Sequence, residues 1–252
     1  MLKIFLVAAF LGVSLFAFSP LGYGSGANRE EAQDLGIAAK PVDLFRVERA
    51  AMIDAALQLG RQAEVPLGIE FVDRLAFEKS VDVNLERTTV GHALDTILSE
   101  LKGYKWGVSG NVIVITHERA PSGKQNLLNH VLKEFVIPRR CTLAEANDLL
   151  RMVLELDLDP RIRGFAGNYN PGSMERIIGP LTMRGVTVRE VLNRLVSQRR
   201  NAAWIVQVPP GQSDRIPPHG LWTLMEYESF PRPYAGYLRH RVFGAGRETD
   251  KK

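Results

Sequence analysis

The chain has 252 residues, 45% of them hydrophobic, with 32 Lys and Arg against 28 Asp and Glu. That length suffices for two small domains of about 100 residues behind an export segment, and a single cysteine, Cys141, excludes an intramolecular disulfide, so packing alone must hold the fold. Residues 28–130 carry 12 Lys and Arg against 15 Asp and Glu (net −3) and residues 131–252 carry 19 against 13 (net +6), which fits attraction between halves or copies, an acidic partner for the second half, or arginines scattered over a solvated surface.

Residues 1–27 have the form of a signal peptide. Met1-Leu2-Lys3 supplies the positive start, Ile4 to Phe18 the apolar stretch, and Ser19-Pro20 a helix break. The stretch is shorter than the roughly 20 residues of a bilayer span, so it reads as cleaved, after Gly24 or Ala27, with an uncleaved anchor as the alternative. Residues 28–41 are polar and small and read as a flexible leader.

A first unit, residues 42–119, follows. Val42 to Glu48 reads as a strand, and a helix runs from about Ala50 to Glu64 with Met52, Ala55, Ala56, Leu59 and Ala63 on one face, until Pro66 stops it. Leu67 to Val72 reads as a strand, and Val81-Asp82-Val83-Asn84-Leu85 alternates as a half-buried strand does. The helix Val90 to Leu101 ends at Gly103, and Tyr104 to Val108 with Val112 to Thr116 form a hairpin about Gly110-Asn111.

Residues 120–130, with Pro121-Ser122-Gly123, read as a linker. A second unit, residues 131–228, repeats the order: a strand at Val131–Ile137, a helix opened by the capping box Thr142–Glu145, a second capping box at Thr187–Glu190, and a hairpin of Ala203–Val208 with Leu221–Tyr227. Residues 229–252 read as a partly disordered tail.

The two units match at a constant shift. Thr89, Val90, Ala93, Leu94, Ile97 and Leu98 stand 98 positions before Thr187, Val188, Val191, Leu192, Leu195 and Val196, and the same shift carries Val83 to Leu181, Leu85 to Met183 and Trp106 to Trp204. Nine ungapped matches across strand, helix and strand predict two copies of one structural unit, with these helix positions and both tryptophans in its core. The expected fold is α+β: two tandem small β-α-β-β-α-β-β modules, helices packed on short sheets.

The residues Val81 to Leu85, Thr89-Val90, Ala93-Leu94, Ile97-Leu98, Tyr104-Lys105-Trp106 and Gly110 to Ile115 make the first unit resemble the short N-terminal domain of secretins and TonB-dependent receptors. The resemblance covers about residues 45–118 and extends loosely to 131–228 through the repeat. It implies a small periplasmic βα module that binds other proteins and has no catalytic residues. No barrel, plug or ring domain follows Val112–Thr116 and its repeat, so the expectation is a free-standing pair of adaptor modules rather than a pore or receptor.

Chemistry-bearing patterns are sparse. The histidines His92, His117, His130, His219 and His240 do not stand at metal-ligand spacings, and no serine elbow or phosphate loop occurs. Asp157-Leu158-Asp159 lacks the glycine and distant glutamate of a calcium loop and reads as a solvated helix end. No metal, cofactor or catalytic residue is assigned.

The reading is an exported, non-enzymatic interaction protein of a Gram-negative envelope, with an envelope protein partner, possible self-association and no nucleic acid. Binding would use a sheet edge or a groove between modules. The alternative is a binder of an anionic envelope polymer or glycan through the basic second module. Candidate surface residues are Arg161, Arg163, Phe165, Asn168, Tyr169 and Asn170, which also fit a plain connection between helix and strand, together with Arg199 and Arg200, which follow the repeated helix where the first unit has Leu101 and Lys102.

Overall fold

The computed structural model describes residues 36–72, 79–123, 126–157, 168–169, 177–208 and 222–227. Its fold is α+β. Strand β1 (Pro41–Ala51) pairs antiparallel with β3 (Ser80–Thr89), Phe45 opposite Leu85 and Val47 opposite Val83. Along β3 the alternation seen in the sequence becomes alternating burial, Val81 and Val83 inward and Asp82 and Asn84 outward. Helix α1 (Met52–Ala63) buries one face against this ribbon and ends at Glu64, which adopts a left-handed conformation before Pro66. Helix α2 (Val90–Leu98) is capped by Thr89, whose side chain accepts a hydrogen bond from the His92 amide. Strand β2 (Leu67–Phe71), strand β4 (Tyr104–Ser109) and strand β5 (Val112–His117) complete the unit. The β4–β5 turn is the two-residue Gly110-Asn111, both at positive φ (56° and 63°), as a tight hairpin matched to strand twist requires.

The second half repeats this order with β6 (Val131–Ile137), α3 (Leu143–Asp157), β7 (Asn168–Tyr169), β8 (Leu181–Thr187), α4 (Val188–Ser197), β9 (Ala202–Gln207) and β10 (Trp222–Glu226). Among the described residues, every pairing within the first half has a counterpart in the second. The antiparallel pairs β1–β3 and β4–β5 correspond to β6–β8 and β9–β10, and the parallel pair β2–β5 corresponds to β7–β10. Both expected capping boxes form: Thr142 and Glu145 exchange bonds of 2.8 and 3.1 Å, and Thr187 and Glu190 bonds of 2.6 and 3.2 Å.

The halves are not separate beads. β2 pairs in parallel with β9, joining the strands into one six-stranded sheet of order β4-β5-β2-β9-β10-β7. Alternate residues of that sheet feed two different cores. Leu67, Ile69, Ile113, Ile115, Ala203, Ile205 and Met225 lie on the face covered by α1 and α2. Val72, Val112, Val114, Trp204, Val206 and Leu224 lie on the opposite face, in the core of α3 and α4. Each half therefore covers the face that the other would leave wet, which is why these strands read as unbroken apolar runs rather than as alternation.

Two sequence expectations give way here. Within the supposed leader, Ile37 joins the first core and the Lys40 carbonyl accepts from the Val90 amide at 3.0 Å. Within the supposed linker, Leu127 and Leu128 are buried in the second core, and Asn126 is tied to the sheet. Apolar residues on a short connection that runs beside a shared sheet are drawn into it. Residues 1–27 and 229–252, read as signal peptide and tail, lie outside the described residues.

Candidate interaction surface

The sheet presents β4 as an outer strand. Its inner edge pairs with β5 from Tyr104↔His117 to Ser109↔Val112. With a two-residue turn closing at Ser109 and Val112, hydrogen-bonded pairs alternate from that point, so the amides of Lys105, Gly107 and Ser109 point to β5 and those of Trp106 and Val108 point outward. The same geometry holds 98 positions on, where the outward direction is filled: β9 is paired with β2 from Leu67↔Ala203 to Phe71↔Gln207, and the Val208 amide donates to the Phe71 carbonyl at 2.8 Å. Among the described residues no strand stands beside β4 in the position that β2 takes beside β9.

The tryptophans report the difference. The Trp106 indole nitrogen donates to Asp95 at 2.7 Å, and that of Trp204 donates to Asn193 at 2.8 Å, again a shift of 98 for both partners. Trp204 is 0% exposed because β2 lies across it, with Gly68 leaving room for the ring. Trp106 is only half-buried, on the face that packs toward α2. On the other face of β4, Lys105, Gly107 and Ser109 are exposed, whereas their counterparts Ala203 and Ile205 are buried in the first core.

An open groove of about 330 Å³ adjoins the end of this strand. Ser109 and Gly110 at the hairpin tip form one wall, and Met183, Val186, Asn193 and Arg194 of the second half form the other. Asn193 bridges the walls, its amide nitrogen 3.3 Å from the Ser109 hydroxyl. A second groove of about 330 Å³ runs along α3, lined by Ile137, Pro138, Cys141, Leu149 and Met152, with Met152 53% exposed. Cys141 itself is buried and bridged to Ile178, a structural position.

Behind this surface the halves are locked by polar contacts. Glu70, 1% exposed on β2, accepts from Asn126 at 2.6 Å and from Arg189 of α4 at 2.8 Å. The Tyr227 hydroxyl donates to the Val65 carbonyl at 2.7 Å, and a side chain on Gly60 would strike that hydroxyl. Among the described residues no group of three or more His, Cys, Asp or Glu converges on a metal-sized site. Asp157 is paired with His130 at 2.9 Å rather than merely solvated.

Compared with protein-family models, curated proteins and solved structures, the chain has no match.

The sequence-derived surface residues fare unequally. Arg161, Arg163, Phe165 and Asn170 lie outside the described residues. Asn168 and Tyr169 form β7, at the opposite end of the sheet from β4. Arg199 is not surface: it is 6% exposed and its guanidinium Nε lies 2.9 Å from Glu226. Its first-half counterpart, Leu101, is equally buried, so the second half has replaced an apolar core position with a compensated ion pair. Arg200, one residue on, is exposed. Of the paired helix and tryptophan positions, all are buried except the half-buried Trp106. The residues that sequence reasoning missed are Lys105 and Gly107; the 98-residue shift sets them against Ala203 and Ile205, and that contrast was the available signal.

Proposed function

We propose that this protein is an exported, non-enzymatic adaptor of the cell envelope, periplasmic and related to the short N-terminal modules of secretins and TonB-dependent receptors. Its work is to hold another protein, and the β4 edge is the holding surface. One observation carries this reading: β9 is the counterpart of β4 within the same chain, and its outward edge holds a parallel strand where the described residues leave that of β4 open. Backbone donors and acceptors on such an edge give affinity, and side chains on alternate positions give selectivity.

Binding of an anionic polymer through the basic second half is the weaker alternative. Two of the arginines behind that charge are committed within the fold, Arg189 to buried Glu70 and Arg199 to buried Glu226.

Site-specific photo-crosslinking in the native host tests the proposal. A crosslinking side chain at Gly107 should capture one discrete partner from the envelope fraction, and the same group at exposed Leu156 of α3 should not. A Val108→Pro variant that still melts cooperatively should lose the adduct, since it lacks an outward amide. Capture unaffected by Val108→Pro would remove the β4 edge from the account, and recovery of the protein only from the cytosol would remove the envelope.

A further inference from the structure

We infer that the β4 edge receives an extended segment of another protein that runs parallel to it, places a small residue beside Trp106, and presents acidic side chains on the Lys105 face. This rests on the adaptor reading and adds the chemistry of the partner. The chain supplies its own template. Beside β9 stand Leu67 at Ala203, Gly68 at Trp204, Ile69 at Ile205, Glu70 at Val206 and Phe71 at Gln207. Moved back by 98 positions, the same register sets five residues of an incoming strand against Lys105, Trp106, Gly107, Val108 and Ser109.

Each position then has a stated preference. Gly68 is required in the template because a Cβ there would overlap the indole of Trp204 along its Cζ2–Cε2 edge. Trp106 is held by Asp95 as Trp204 is held by Asn193, and its ring lies over Gly91 of α2, where a Cβ would come within 3.1 Å. With the indole held by the matching helix position, the correspondence sets the same ring beside an incoming strand at Trp106 and calls for a residue as small as glycine there. The neighbour of Val206 in the template is Glu70, answered by Arg189 of α4. The helix position 98 earlier is Gly91, which offers no cation, so the residue beside Val108 is apolar.

The other face sets the partner apart from this chain. Ala203 and Ile205 are buried, and the template answers them with apolar Leu67 and Ile69. Lys105 and Gly107 are exposed instead, and a lysine on an edge strand opposes sheet propagation between identical copies while it favours a carboxylate across the strand. The segment that fits reads acidic, glycine, acidic, aliphatic, acidic.

Capped pentapeptides test this directly: Glu-Gly-Glu-Val-Glu, its lysine and threonine analogues at the three acidic positions, and a form with leucine for glycine. The readouts are hydrogen exchange at the Trp106 and Val108 amides and the Trp106 indole resonance, in the full chain and in Lys105→Glu with an unchanged melting transition. The acidic peptide should protect both amides saturably, and Lys105→Glu should weaken it by about threefold or more, the range of one cross-strand charge pair, while favouring the lysine peptide. The leucine form should not bind. Equal protection by all three glycine peptides would overturn the acidic chemistry and leave the edge reading standing. Protection by none would overturn both, and protection that rises with protein concentration alone would assign the edge to a second copy.

Discussion

Trp204 of β9 packs its indole against Gly68 of β2 so closely that a Cβ on the glycine would overlap the ring. The contact is one of those that join the two halves of the chain, and it makes the shared sheet sensitive to one methyl group. Gly68→Ala should destabilise the protein by about 1–3 kcal/mol, the cost of overpacking a closed interior. Chemical denaturation checks this, and a change under about 0.5 kcal/mol, the scatter of surface substitutions, would show that the joint yields easily.

Unfolding should be a single cooperative transition. Leu94 and Leu192 are both 0% exposed, in different cores, yet those cores rest on opposite faces of one sheet. A buried carboxylate costs several kcal/mol, so Leu94→Asp and Leu192→Asp should each remove the whole transition rather than half of it. Calorimetry of either variant that retains a separate, native-like second peak would restore the picture of independent units.

Removing Arg189 should cost more than removing it together with its partner. Arg189→Met leaves the Glu70 carboxylate buried with the Asn126 amide, and a loss of about 3 kcal/mol is expected for breaking such a pair. The double variant Glu70→Leu, Arg189→Met should recover part of that loss. A double variant as unstable as the sum of its singles would mean that the two groups do not act as a pair.

The Arg199–Glu226 pair makes a parallel case with a built-in control. Leu101 shows that the same position in the first half accepts an apolar side chain. Arg199→Leu alone should cost about 3–5 kcal/mol, and Arg199→Leu with Glu226→Leu should return close to the parent stability. For the same reason a charge reversal at Arg199 reports folding rather than binding, and Arg200→Glu is the variant with which to probe surface charge in pull-downs at low and high salt. An association carried by that charge weakens as the Debye length falls from about 10 Å at 0.1 M to about 3 Å at 1 M.

The sequence by itself determined most of the elements and the recurrence of the second helix with its flanking strands, but not β7, whose Asn168 and Tyr169 read as surface or connection. Helix periodicity, capping boxes at Thr142 and Thr187 and the Gly110-Asn111 turn are local, set by residues within a few positions of one another, and the shift from Val90 to Val188 reads directly as a recurring core face. The likeness of Trp106 and Trp204 was visible, but not their difference in burial. That difference depends on which strand lies beside each, and strand neighbours separated by more than 100 residues in the chain leave no local trace.

Tertiary structure alone decided that β2 and β9 join, that each half covers the other's sheet face, and that Leu127 and Leu128 belong to a core. It also decided that Arg199 is buried, because the carboxylate that makes this tolerable, Glu226, arrives from a strand beyond the long hairpin connection. Composition counts a charge the same way whether water or a partner answers it. Only the fold says which, and here it moves the exposed contrast from the arginines after α4 to Lys105 and Gly107 on the edge of the sheet.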